Sequence, residues 1–462
     1  MAELDCLLCE QSLQYKLGAE IIITDKWECV NRSCKKFGHK LHAEYKEYMA
    51  HLYTLRRGIL PAQIITLYCR ECKTTYRPNY SVCCAERDDS CRRYLSCMPR
   101  YLEVVEHCYI ESELAQLFAT QMAFSHASGE AIARIYNLSI NTQHNDDCLS
   151  SETIWNTFYL YALLRDCVRQ SIGLVLPHRG SHKDRLNARL LERNLCVAGT
   201  GQEQWAHVCR DCVKVIVEHD GSWSRITACV MDGVTVGHPR CNVANCIESL
   251  ASLRDRFCPI HANLHMRCQL MVRCCGIIIS RVTFFHAESL VNAMNFILAT
   301  FPARFPHARP SYLFFDNNCH LLQHLIAAGE HRLDTIGFPV DVFHAINKHK
   351  DSDAFCQMHC NPAGFPELYD EHNQWTFNSS AAEQANVWFG KFQSITREMT
   401  KSHYNFFLDE MINIRNAFLD VQNNGGLAIW GMTDRENGGV IFKVATINLS
   451  EEAKHLSPRH LV

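Results

Sequence analysis

The chain has no run approaching about 18 uninterrupted apolar residues, so no membrane-spanning helix is expected. Its first residues, MAELDCLLCEQS, lack the basic and then apolar layout of a secretory leader, which predicts an intracellular protein. It has no GxxxxGK[ST] loop and no convincing GxGxxG element, which removes motif support for nucleotide hydrolysis. Net charge is nearly absent at −3, and charged residues make up 21% against 47% apolar, proportions that exclude wholesale disorder. What remains is 462 residues, enough for about three domains and at least one sizeable core.

Cysteine is abundant, with 26 in the chain. A reducing compartment disfavours structural disulfides but leaves thiolates available for zinc, so metal is the first hypothesis. Many of these cysteines fall in close groups, as bidentate half-sites would: Cys6/Cys9, Cys29/Cys34, Cys69/Cys72, Cys209/Cys212, Cys241/Cys246, Cys258/His261 and Cys356/Cys360. A nucleophilic thiol should be single and free of such pairing, which argues against a cysteine-nucleophile enzyme.

Charge is unevenly spread. Between Arg32 and Arg100 there are 14 lysines and arginines against 6 acids, a candidate polyanion contact or simply a solvated surface, with Arg56, Arg57, Arg92 and Arg93 expected to be exposed if the second reading holds. Residues 111–137 show apolar spacing of three and four over Leu114, Leu117, Phe118 and Met122. A Ser-His-Ala-Ser-Gly break follows, then Ala131, Ile132, Ile135 and Tyr136. This predicts a helix pair with Ser128 as the second cap, a form shared by DNA-reading helix-turn-helix units and by ordinary packed helices. A third helix is expected over 151–171, and the polar stretch 178–204 reads as a connector.

From about residue 224 strands and helices alternate. Strands are expected at Ile226–Met231, 276–285, Tyr312–Phe315 and Phe338–Phe343, and helices at 287–300, 319–328 and 379–399. Asp232 and Asp316 stand at strand ends and Glu383 on the long helix, separated by 84 and 67 residues. Carboxylates so placed can hold two divalent ions about 4 Å apart that clamp a phosphodiester, and hard oxygens suit Mg²⁺ or Mn²⁺. Each acid also has an ordinary reading. Asp232 precedes a glycine as in a turn, Asp316 could cap a helix, and Glu383 could complete a capping box with Ser380. Asp341 and Asp353 are the competing acids.

The thiol groups predict several structural zinc sites. Cys6, Cys9, Cys29 and Cys34 would make one four-thiolate site, leaving Cys69 and Cys72 to draw on Cys83, Cys84, Cys91 or Cys97. The first and third half-sites could equally share an ion. His207, Cys209 and Cys212 form a knuckle with His219 or Cys229 as fourth ligand. Cys241, Cys246, Cys258, His261, Cys268, Cys274 or Cys275, and His286 suggest two ions in a crossed insertion. His344, His349, Cys356 and Cys360 form the last group, with His359 as a substitute. Isolated Cys108, Cys148, Cys167, Cys196 and Cys319 are expected to be buried thiols without metal.

The chain resembles the cysteine-cluster proteins associated with Kyakuja-Dileera-Zisupton (KDZ) transposases. The resemblance rests on LYCRECKTTYRPNYSV, MPRYLEVVEHCYIE with FSHASGEAIARIYN, ITACVMDGVTVGHPRC, DRFCPIHANLHMRC, LFFDNNCH, and NSSAAEQANVWFGKFQSITREM with NFFLDEMINIRN. It implies an α+β protein. A zinc-binding cysteine cluster (1–108) and a helical segment (109–177) lead to a connector with a zinc knuckle (178–222). A ribonuclease-H-like mixed α/β DDE core (223–420) with a Cys/His-rich insertion (239–275) and a tail (421–462) complete the chain. It further implies that Asp232, Asp316 and Glu383 are the metal-binding acids of a DDE-type transposase or transposase-derived protein. Such a nuclear protein would cleave and transfer strands of transposon ends or genomic DNA, as a homodimer or higher assembly. The alternative is a domesticated, catalytically inactive zinc-binding protein of DNA or chromatin.

Overall fold

The computed structural model describes residues 20–43, 48–83, 89–140, 148–234, 236, 267–284, 289–350, 352–396, 399–423, 427–433 and 440–446. It divides into two compact units, Met1–Arg193 and Asn194–Val462.

In the first unit the cysteine-rich module expected over 1–108 is largely β-structure among its described residues. Strands β1 (Glu20–Ile23), β3 (Tyr48–Thr54), β4 (Gly58–Ile65), β9 (Tyr101–Val105) and β10 (Cys108–Glu111) form a sheet in the order β1-β4-β3-β10-β9. Ala50, Leu52, Leu60, Ala62 and Ile64 alternate into its core with Tyr109, which is the period-2 signal of a strand buried on one face. A second, antiparallel sheet joins β2 (His42–Ala43), β5 (Leu67–Cys69), β6 (Thr74–Tyr76), β7 (Tyr80–Cys83), β8 (Cys91–Tyr94) and β11 (Val175–Pro177).

The expected helix pair is present as α1 (Ser112–Ser125) and α2 (Gly129–Ser139). The chain reverses at His126, which takes positive φ, and Ser128 Oγ accepts from Ala131 N at 3.2 Å as the cap of α2. Helix α3 (Ser151–Arg169) follows with Ser150 capping it. The stretch read as a connector is instead helix α4 (His182–Thr200). Leu186, Leu190 and Val197 fall on one buried stripe, while Leu191 and Leu195 are exposed among polar residues, which concealed that period.

The second unit is built on β12 (Val213–Val217), β13 (Trp223–Val234), β14 (Arg267–Arg273), β15 (Ile278–Phe284) and β16 (Tyr312–Phe314). β13, β14 and β15 are successively antiparallel. Helix α5 (Leu290–Thr300) then returns the chain to β16, which pairs with β13 in parallel. A further parallel bridge joins Tyr312 to Gly337. Only glycine fits there, because a Cβ would lie 2.6 Å from the Tyr312 ring. On one sheet face Cys229, Met231, Met271, Ile279 and Leu313 pack against Phe296 and Ile297 of α5 and Leu321 and Leu325 of α6 (Asn318–Ala328).

Three expectations in this unit are corrected. Phe338–Phe343 is not a strand: Pro339 supplies no N–H, and Asp341 caps a short helix, α7 (Val342–Asn347), through Phe343 N. The helix expected over 379–399 is only α9 (Ala381–Phe389), which tightens into a 3₁₀ turn at Gly390. Arg267–Arg273, placed within the Cys/His-rich insertion, is a central strand. Helices α8 (Ala354–His359) and α10 (Lys401–Asn423) and the hairpin β17 (Leu427–Thr433) and β18 (Val440–Thr446) complete the unit. No helix of the described residues is long and apolar enough to cross a membrane.

Candidate metal centres and acidic site

Cys29 and Cys34 lie on a knuckle closed by Cys29 N to His39 O and Cys34 N to Asn31 O, each 2.9 Å. Cys69 ends β5, and Cys72 lies in the turn to β6, which is closed by Lys73 at positive φ. Together the four ligand atoms lie within 4.8 Å of one another. The Cys29–Cys72 and Cys34–Cys69 sulfurs are 3.7 and 3.8 Å apart. A tetrahedron with ~2.3 Å zinc–sulfur arms has edges of about 3.8 Å, so the donors already stand at zinc spacing. Lys36 N and Tyr76 Oη donate to Cys34 and Cys29 sulfurs at 3.3 and 3.4 Å, which orients the ligands from outside. Burial raises the Cys72 thiol, but bonds from Thr74 outweigh it and hold it at about 7, while burial pushes Cys34 up to about 12. Such divided protonation is what crowded thiols adopt until a cation lets all four ionise.

The half-site pairing therefore differs from both expected schemes: the second and third half-sites combine. Cys6 and Cys9 lie outside the described residues, as does Cys84. Cys83 and Cys97 are exposed and Cys91 half-buried, and none of the three joins the site. Of the arginines expected at the surface, Arg56, Arg57 and Arg93 are exposed, but Arg92 is half-buried with its guanidinium 4.5 Å from the Tyr80 ring.

The expected knuckle of His207, Cys209 and Cys212 gains Cys275 as its fourth donor, in place of His219 or Cys229. The β14–β15 turn explains the choice. Arg273 N bonds Ile277 O, and Gly276 takes positive φ, which turns Cys274 into the core and Cys275 toward His207 Nε2 at 3.5 Å. Cys274 is thus a buried thiol and no ligand in this group. His207 Nδ1 meets Asp420 Oδ1 of α10 at 2.9 Å, the carboxylate partner that commonly fixes a metal-binding imidazole. Asp420 was invisible to sequence reading, since it lies more than 200 positions from its histidine. Cys268 joins no group among the described residues, its thiol lying 3.3 Å from Tyr404 Oη and 3.4 Å from Thr283 Oγ1. Cys241, Cys246, Cys258, His261 and His286 lie outside the described residues.

The last expected group divides in two. His349 and Cys356 meet Cys319, one of the cysteines expected to be a metal-free thiol, while His344 turns to Asp341 and Glu383. Cys360 is buried beside Cys319 and Cys356. Cys148 and Cys196 are exposed, whereas Cys108 and Cys167 are buried as expected.

Asp232, Asp316 and Glu383 gather on the sheet face opposite the α5–α6 core. Val230 pairs with Phe314 in parallel, and Asp316 follows in the turn two residues past the end of β16, near enough to Asp232 in β13 for its charge to act on that carboxyl. Asn386, one turn beyond Glu383 on α9, donates to Asp232 Oδ2 at 2.8 Å and ties that helix to β13. Their ordinary alternatives are not realised. Asp232 accepts from Gly233 N inside a strand, Asn317 rather than Asp316 precedes α6, and Ser380 makes no side-chain cap to α9. The competitors Asp341 and Asp353 are the helix caps. The three acids do not form one compact cluster. Glu383 Oε1 instead lies 3.4 Å from His344 Nδ1, which also bonds the buried Asp341.

Burial pushes the Asp232 carboxyl up to about 6, with the charges of Asp316 and Glu383 adding to the rise. An unfolded aspartate titrates near ~3.9, so the folded state holds the proton more tightly and loses stability as pH climbs from about 4 through about 6. Asp232→Asn is accordingly expected to stabilise the zinc-loaded protein by about 2 kcal/mol at pH 7 without added Mg²⁺, and to change little at pH 3.5. Urea unfolding at the two pH values checks this.

Residues 17–140 match the CxC5-like cysteine cluster associated with KDZ transposases, and residues 230–278 match the CxC6-like cluster associated with the same enzymes. The chain carries two KDZ-associated cysteine clusters. The CxC5 region holds the four-thiol site and the α1–α2 pair, and the CxC6 region runs from Val230 of β13 through the Cys274–Cys275 turn. Its centre, with Cys241, Cys246, Cys258 and His261, is the undescribed segment. No curated protein and no solved structure matches the chain. The two clusters point to a transposase-related origin.

Proposed function

We propose that this transposase-related chain cleaves and joins DNA strands at Asp232, Asp316 and Glu383, on a ribonuclease-H-like sheet braced by zinc. The observation that carries the reading is the approach of Asp316, just past β16, and of Glu383 to Asp232 on the parallel neighbour β13, close enough for both charges to act on it, with the Glu383 helix bonded to Asp232 through Asn386. Three antiparallel strands followed by a parallel crossover strand, with helices on both faces, support the ribonuclease-H-like topology. Burial raises Asp232 first, and the repulsion from Asp316 and Glu383 that adds to the rise is the part that divalent cations relieve. Bound Mg²⁺ or Mn²⁺ would activate the attacking oxygen and stabilise the leaving one. Asp232, held from two sides by Gly233 N and Asn386, would present a fixed carboxylate, and Asp316 would offer the second. Glu383 would supply its carboxylate on leaving His344. Water would then attack phosphorus as the P–O3′ bond breaks, and the freed 3′-hydroxyl would attack a target phosphodiester, breaking its P–O3′ bond and releasing the target strand's 3′-hydroxyl.

The basic stretch Arg32–Arg100 and the α1–α2 pair are the DNA contacts of this proposal, although Arg77 and Arg92 are already engaged by Glu103 and Tyr80. In the nucleus, with a second copy joining two DNA ends, the same surfaces would serve assembly.

The test is nicking of supercoiled DNA in Mn²⁺. Asp232→Asn and Glu383→Gln are each expected to lower the rate on the order of 10²–10³-fold with zinc content unchanged. Salt-sensitive binding with no nicking by the parent protein would instead favour an inactive DNA-binding or chromatin protein, a reading to which the His344–Glu383 contact lends weight.

A further inference from the structure

We propose that Cys319, His349, Cys356 and Cys360 hold a zinc ion whose histidine ligand grips the backbone of Asp316, so that this ion positions the acidic site. The metal site stands by itself; its consequence for the acids rests on the function proposed above.

Three turns of chain converge here. Cys319 occupies the first turn of α6, three residues beyond Asp316. His349 follows α7, and Cys356 lies on α8, whose cap Asp353 accepts from Cys356 N at 3.0 Å. The ligand atoms of Cys319, His349 and Cys356 lie within 4.8 Å of one another, with Cys356 Sγ 3.2 Å and Cys319 Sγ 3.9 Å from His349 Nδ1. Three donors leave one tetrahedral position. Cys360, fully buried in the same small cluster and one helical turn past Cys356, lies beside this 4.8 Å group but outside it, and is the soft donor that would turn in to close the site as structural zinc requires.

The histidine's other nitrogen carries the argument further. His349 Nε2 lies 2.9 Å from the Asp316 carbonyl oxygen. A carbonyl only accepts, so Nε2 bears the proton and Nδ1 presents its lone pair to the two sulfurs, the tautomer a metal ligand needs. The bond thus runs in one line from ion to imidazole to the main chain of Asp316. A second tie from the same turn, Asn318 Nδ2 to the carbonyls of Leu313 and Pro339 at 2.7 and 2.6 Å, holds the strand end but not Asp316 itself. Position at Asp316 therefore depends on His349, and the imidazole's orientation depends on the ion.

The experiment uses the full chain and separates the two claims. Cys356→Ser and Cys319→Ser are expected to lower the zinc content by one ion per chain, read by elemental mass spectrometry. His349→Cys supplies a sulfur ligand but no N–H for Asp316. It is expected to keep wild-type zinc, to speed amide exchange at residues 316–318 about tenfold, and to weaken Mn²⁺ binding about tenfold. Unchanged zinc in both serine variants overturns the site. Full zinc with unchanged exchange at 316–318 in His349→Cys overturns the positioning role, and that variant keeps the question answerable where the serine variants fail to fold. A parent protein that neither binds Mn²⁺ nor nicks DNA defeats the proposed function, yet zinc content and exchange still judge this inference.

Discussion

Cys69→Ser is expected to remove one zinc ion per chain and to unfold the knuckle between Trp27 and Leu41. Cys69 is buried with Cys29, Cys34, Leu67 and Tyr76 in a small cluster of which the site's own thiols form a large part. A structural zinc site supplies on the order of 10 kcal/mol of binding free energy that is also folding free energy, and a three-thiol remnant keeps only part of it. Several kcal/mol should therefore be lost, enough to lower the first unfolding transition by tens of degrees or to prevent folding. Cys108→Ser is the control: that thiol is buried, pushed up to about 12 by its surroundings, and outside every metal group of the described residues. Elemental analysis with calorimetry decides. Equal zinc and equal transitions in Cys69→Ser and the parent would make the four sulfurs ordinary core atoms.

Glu103→Ala is expected to destabilise the amino-terminal unit by about 3–5 kcal/mol. The carboxylate, 2% exposed, accepts from Arg77 Nη1, Tyr80 Oη and Tyr109 Oη, each at 3.0 Å. Tyr80 lies on β7 of one sheet of that unit, Arg77 in the turn leading to it and Tyr109 on β10 of the other sheet, so a single side chain satisfies donors from both. Truncation takes the charged acceptor from a half-buried guanidinium and two buried hydroxyls, leaving Arg77 and Tyr109 only the Tyr48 hydroxyl, which is what makes the loss large. Glu103→Gln keeps one carbonyl acceptor and should cost about half as much. Denaturant midpoints of the three proteins test the order; equal midpoints for alanine and parent would mean that water replaces the carboxylate.

Local signals were legible wherever the determining neighbours are close in sequence. Ser128 announced its helix, and the apolar runs ending at Asp232 and Asp316 gave the strand that holds the first acid and the strand that the second follows. The reading failed where a short-range pattern admitted two outcomes. FPVDVF looks like a strand until Asp341 caps a helix, and HKDRLNARLLERNL looks like a linker until three spaced apolar residues find a buried face.

Residue types and spacings thus determined which chemistry is available: thiols in pairs for zinc, acids at strand ends for divalent ions, and a helix pair with its caps. Tertiary structure alone decided which donors meet. Cys29 and Cys34 join Cys69 and Cys72, Cys275 is chosen over Cys274, Cys319 enters a site, and Asp420 stands behind His207. The physical reason is range. Caps and periodicity act over three or four residues, whereas a tetrahedral site is set by where turns from distant strands are brought, and spacing along the chain does not encode that.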